Sequence, residues 1–221
     1  MLLLPLGVPF VLLLGLLLAL FVLLVELRVL AYAYRKIGVQ PRYVFAVMLL
    51  TLIGSEVDIP VYALPSPPSV RISASGSERS EIAATRPRRR GTVVAVNVGG
   101  ALIPALISLY LFLRFGMPAR MLLATAVVAL VVHRMAYVVP GSGIAVPMLV
   151  PPLLAAGAAL LLAFRRAPPV AYVAGSMGTL IGADLLNLSR VAEVGTPMVS
   201  VGGAGTFDGV FLTGIIAGLL A

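Results

Sequence analysis

Residues 2–27 read LLLPLGVPFVLLLGLLLALFVLLVEL, and from Leu2 to Val25 no residue carries a charge. A helix crossing the hydrocarbon core of a bilayer needs about 20 apolar residues, so this run alone is long enough. No basic stretch precedes it, its apolar length exceeds that of a secretory signal, and no small-x-small cleavage site follows. It reads as a retained first span.

Six further apolar runs follow, at 44–64, 92–113, 121–139, 144–164, 170–188 and 199–220. Short turns bearing Gly, Pro and Arg separate most of them, such as Arg35-Lys36-Ile37-Gly38 and Phe115-Gly116-Met117-Pro118. Composition agrees: 61% of residues are hydrophobic and only 11% charged, with a mean hydropathy of +1.11. A soluble domain is about half apolar and a quarter charged. Too little polar surface remains here to cover a water-soluble globule. The sequence therefore predicts an all-α, polytopic transmembrane bundle of about seven spans, forming a single domain over 1–221. Lipid offers no hydrogen-bond partners, so each span should be helical unless irregular backbone is shielded within the protein.

Residues 65–90 differ from the rest. They are rich in Ser, Pro and Arg and close on Arg86, Arg88, Arg89 and Arg90, which predicts a solvated, mobile basic loop. The net charge of +8 comes from 16 basic residues, 15 of them arginine. No basic, aromatic-bearing soluble domain is present, so the charge points to anionic lipid head groups rather than nucleic acid. In a seven-span arrangement Arg28, Arg35, Lys36, Arg42, Arg114, Arg120, Arg165 and Arg166 share one side. Arg134, Arg190 and the long arginine loop take the other. Counting short loops only, the first side is cytoplasmic, with the N-terminus outside and the C-terminus inside. The chain has no cysteine, which removes disulfides and thiolate chemistry, and its one histidine, His133, makes a metal site improbable. No cofactor is expected.

Two parts of the chain echo each other. Thr51-Leu52-Ile53-Gly54-Ser55-Glu56 resembles Thr179-Leu180-Ile181-Gly182-Ala183-Asp184, and Asn97-Val98-Gly99-Gly100-Ala101 resembles Ser200-Val201-Gly202-Gly203-Ala204. The two offsets differ by about the length of the basic loop, which reads as an insertion into the first copy. The pattern predicts an internal two-fold repeat, copies 44–113 and 170–221, with a functional site at the repeat interface. The repeat is parallel for seven spans, and inverted if the stretch around Pro140-Gly141-Ser142-Gly143 is re-entrant.

Four of the eight acids lie within apolar segments: Glu56, Asp58, Asp184 and Asp208. A carboxylate there costs at least a few kcal/mol and normally faces the protein interior or water. Asp184 falls near the end of the sixth span. Asp208 follows the glycines at 202, 203 and 205, which argue against a continuous helix and let a substrate backbone approach. The two acids are predicted at similar depth on successive helices. Two close carboxylates in a low dielectric share a proton and titrate as a pair. Such a pair can activate water for amide hydrolysis, bind a cation or relay protons. Spacing alone does not choose between them. Asn97 and Asn187 are predicted as supporting hydrogen-bond donors, and with Glu56, Asp58, Gly203 and Gly205 they outline an ion or substrate path.

Several stretches carry a resemblance. Pro140-Gly141-Ser142-Gly143-Ile144-Ala145-Val146-Pro147, the run from Gly178 through Asp184 to Leu188, and the closing Gly202–Ala217 stretch resemble a prokaryotic membrane family catalogued as domain of unknown function 1614. That likeness implies a membrane location and no particular activity. A more distant likeness is to the presenilin and signal-peptide-peptidase class of intramembrane aspartyl proteases. It implies Asp184 as the first catalytic aspartate and Asp208 as the second. Here the second motif carries two extra residues before the acid, Ala183 stands where a tyrosine is usual, and no Pro-Ala-Leu follows Asp208. Hydrolysis of transmembrane peptides, proton- or cation-coupled transport by a homodimer, and a non-catalytic scaffold are thus the functions the sequence leaves open.

Overall fold

The computed structural model describes residues 7–63, 92–203 and 209–221. Helix α1 (Gly7–Ile37) shows why the chain needs a bilayer. Its residues from Val11 to Leu27 are exposed all round, with Leu12 and Phe21 each about two-thirds accessible, and only near its end do Ala33, Tyr34 and Ile37 become fully buried. An apolar surface of that extent is stable in lipid and not in water. Four helical stretches are long and apolar enough to cross a membrane: Val11–Ile37, Val98–Phe115, Pro118–Met135 and Val150–Arg190. Two shorter apolar helices, α2 (Pro41–Gly54) and α8 (Gly209–Leu220), accompany them.

The Val98–Phe115 stretch opens with a π-helical turn, Val98–Leu102, and continues as α3 (Ile103–Phe115). Helix α4 is Pro118–Met135. A tight 3₁₀ turn at Phe164–Arg166 folds the long stretch into α5 (Val150–Ala163) and α6 (Ala167–Thr179). Helix α6 lies at the centre, packed on α3, α4, α5 and α8, and nearly every residue of it is buried. Alanines line the contacts: Ala124, Ala155, Ala159, Ala163, Ala171, Ala174 and Ala217 all belong to the core. Between helices in lipid the drive is close van der Waals packing rather than escape from water, and small side chains allow that approach.

One end of the bundle gathers basic residues. Lys36 Nζ donates to the Leu219 carbonyl at 2.7 Å, Arg114 donates to the Gly38 carbonyl at 2.9 Å, and Arg120 shares a cleft with Arg165 and Arg166.

The opposite end departs from an all-helical reading. The runs expected as helix at 44–64, 92–113 and 199–220 each change to strand there. β1 (Asp58–Ala63), β2 (Val93–Asn97) and β5 (Met198–Val201) form a sheet in the order β1-β2-β5. β1 runs antiparallel to β2, with Asp58 opposite Asn97. β5 runs parallel to β2, with Ala95 opposite Ser200. The valines of 93–96 and 199–201 suit a strand, and internal pairing satisfies the backbone that lipid would leave bare. Pro60, lacking an N–H, sits on the outer strand, where that loss is tolerated. Residues 137–145 form a small hairpin, β3 (Tyr137–Val139) with β4 (Gly143–Ala145), rather than a helix start. The basic loop expected at 65–90 lies outside the described residues.

Candidate functional site

At the sheet end two polar nodes meet. The first is built on Asn97, the last residue of β2, which is fully buried. Its Nδ2 donates to the Ser55 carbonyl at 2.8 Å and to Asp58 Oδ1 at 3.1 Å, and its Oδ1 accepts the Gly100 N–H at 2.7 Å. It thereby caps the π-helical turn that opens α3. Ser200 on β5 donates its hydroxyl to the same Asp58 oxygen. One carboxylate thus ties all three strands together at their ends.

The second node is Asp184. Helix α6 loosens after Thr179 into a π-helical turn, Leu180–Asp184, and then a 3₁₀ run, Leu185–Arg190. A π-turn frees carbonyls from the helical ladder, and buried carbonyls need donors. Asn187 supplies them. Its Nδ2 donates to the carbonyls of Gly182 at 2.9 Å and Ala183 at 3.0 Å, and lies 3.2 Å from His133 Nδ1. The short helix α7 (Val191–Val194) leads on toward β5. With the turn so fixed, Asp184 Oδ2 accepts the Gly202 N–H at 2.8 Å.

Glycine makes the meeting feasible at two positions. Gly202 holds φ at +86°, a conformation side chains rarely adopt, and a Cβ there would fall 2.6 Å from Ala101 Cβ. A Cβ on Gly99 would collide with the backbone of Thr51 and Ser55. The two Gly-Gly motifs that echo each other in the sequence therefore lie against one another.

Beside this junction is a cavity of about 290 Å³. Asp184, Ser142, Thr179, Ser200 and Thr213 supply its polar wall, and Ile144, Val201, Val210 and Leu212 are among the residues of its apolar one. Gly203 and Gly209 both line it. Thr179 is buried, and its hydroxyl finds no hydrogen-bond partner among the described residues.

The structure thus brings Asp58 to Asn97, and Asp184 to the 202–203 turn with Asn187 behind it. Glu56 is set apart, exposed in the turn between α2 and β1. Asp208 and Gly205 lie outside the described residues. Ser200 and Thr179 were not singled out from the sequence. Both stood in the repeated motifs, as the partners of Asn97 and Thr51, and hydroxyls at repeat positions were the available signal.

A predominantly helical membrane protein with an acid-bearing cavity at one end of its bundle is the class that fold and site define. A family model described as a protein of unknown function, DUF1614, matches residues 52–220, and the chain belongs to that family. No curated protein and no solved structure matches it.

Proposed function

We propose that this protein is an intramembrane hydrolase of the aspartyl type, with Asp184 and Asp208 sharing one proton across a water. One carboxylate takes a proton from that water while the other protonates the carbonyl oxygen of a peptide bond. The observation that carries the reading is the cavity itself. Asp184 forms part of its wall, and so do Gly203 and Gly209, the residues on either side of the segment that contains Asp208. The apolar remainder suits an apolar side chain next to the bond to be cut.

The test is cleavage of a transmembrane peptide by the protein purified into lipid nanodiscs. Asp184→Asn and Asp208→Asn should each lower the rate by about 100-fold or more, the scale of a lost acid-base group. Cleavage that either variant retains in full would end the proposal.

A second reading is a proton- or cation-coupled transporter on the acids Glu56, Asp58, Asp184 and Asp208. The Asp58–Ser200 bond favours it, because it joins an acid of the first repeat copy to the cavity of the second. It requires that ion-driven flux in proteoliposomes fall with Glu56→Gln as well as with Asp184→Asn.

The architecture proposed for either function is seven passages and a parallel repeat. The parallel pairing of β2 with β5, each leading into a helix, supports the repeat. The basic end is proposed to face the cytoplasm and the cavity to open on the other side.

A further inference from the structure

The basic end of the bundle holds its cations in two ways. Lys36 and Arg114 are tied to carbonyls, and the Arg42 guanidinium lies 4.6 Å from the centre of the Tyr43 ring. Arg120, Arg165 and Arg166 have no hydrogen bond, ion pair or ring contact among the described residues. All three are exposed, and all three line one cleft of about 690 Å³. Like charges around one open space repel one another, and an anion between them turns that cost into attraction.

Two turns of the chain build the cleft. Gly116, with φ at +60°, ends α3 and lets α4 start at Pro118, which sets Arg120 in the first turn of α4. The 3₁₀ turn Phe164–Arg166 carries the other two arginines between α5 and α6. Leu162 and Phe164 supply an apolar wall, and Phe164 is about four-fifths exposed. Nearby in the chain, Leu122 of α4 and Leu161 of α5 are exposed as well. The cleft thus lies at the end of the bundle, beside helical stretches long and apolar enough to cross a membrane. That is the level at which lipid phosphates meet acyl chains. Helices α4 and α6 both begin there, and their positive ends add to the potential the arginines set.

We propose that this cleft binds the phosphate of an anionic glycerophospholipid, with the acyl chains against Phe164 and the apolar helix surface beside it. Arginine suits the task, because its planar fork meets two phosphate oxygens at once. Free phosphate offers the same oxygens, but only a lipid also covers the apolar wall. Neither hydrolysis nor transport is needed for this binding. A lipid held there joins the start of α4 to the α5–α6 turn, at the foot of the central helix that leads to Asp184.

Native mass spectrometry of the full chain in detergent, titrated with phosphatidylglycerol or with phosphatidylcholine, tests it. The two lipids share a phosphate and differ in net charge. The wild type should bind phosphatidylglycerol at least about tenfold more tightly, since three arginines act on that charge. An Arg120→Gln, Arg165→Gln, Arg166→Gln triple variant should bring the two lipids to within about twofold of each other, while Arg134→Gln at the opposite end keeps the preference. No preference in the wild type, or the same preference in both variants, would overturn the proposal. Inorganic phosphate in large excess should leave the lipid bound; displacement would make free phosphate the ligand and overturn the lipid assignment. If the triple variant does not fold, Arg120→Gln and Arg166→Gln singly should each cut the preference by about threefold or more, and unchanged singles would overturn it.

Discussion

Asn97 uses its whole amide: two donors on Ser55 and Asp58, one acceptor for Gly100. Replacing it with Ala strands a buried carbonyl and a buried N–H at once. Each such group costs about 1–3 kcal/mol, so Asn97→Ala should destabilise by about 2–4 kcal/mol in a detergent unfolding titration. A loss under about 0.5 kcal/mol would show that the cap carries little of the fold. Asn187 has the same kind of task at the other node, holding the carbonyls that the π-turn frees. The sequence marked both asparagines as donors. It did not mark which carbonyls they serve, because those carbonyls are freed only where a helix abandons its regular ladder. The Gly99 and Gly202 contacts are also invisible in the chain, being approaches between residues about 45 and 100 positions apart.

At the scale of elements, Asp58 decides how β5 is held against β1 and β2. An Asp58→Asn change leaves an oxygen at that position to accept from Ser200 and Asn97, whereas Asp58→Ala leaves none. Amide hydrogen exchange over 198–203 should therefore stay near wild type in the first variant and rise by about tenfold or more in the second, the effect of about 1.4 kcal/mol of lost local stability. Equal exchange in both would mean the carboxylate does not anchor the strand. The same pair separates roles: an anchor tolerates Asp58→Asn, while an ion ligand loses flux with it. In the sequence the valine runs at 93–96 and 199–201 suit a membrane helix equally well, because an apolar run of three or four residues has no periodicity to contradict that. Pairing made them strands. The Asn97 and Ser200 side chains at their ends then reach a carboxylate 39 or more residues away.

For the whole molecule, the separation of a basic end from an acid-bearing end sets a sidedness that the natural absence of cysteine makes easy to test. Ala119→Cys at the basic end and Ser142→Cys at the hairpin end are both at exposed positions. In intact cells a membrane-impermeant maleimide should label the second and spare the first until the membrane is opened. The reverse pattern would invert the proposed orientation. At this scale hydropathy served best, since it reports on the solvent around the chain and needs no knowledge of its contacts.

The sequence by itself determined that this is a helical membrane protein and where its apolar segments lie. These follow from the cost of placing charge and bare backbone in hydrocarbon, a cost each segment meets alone. Only the tertiary structure decided that three of those segments turn into a shared sheet, that Asp58 rather than Glu56 joins it, and that Asp184 meets the Gly202 turn beside a cavity. Those outcomes depend on hydrogen bonds between distant residues, and no local pattern encodes which distant partner will be there to accept or donate.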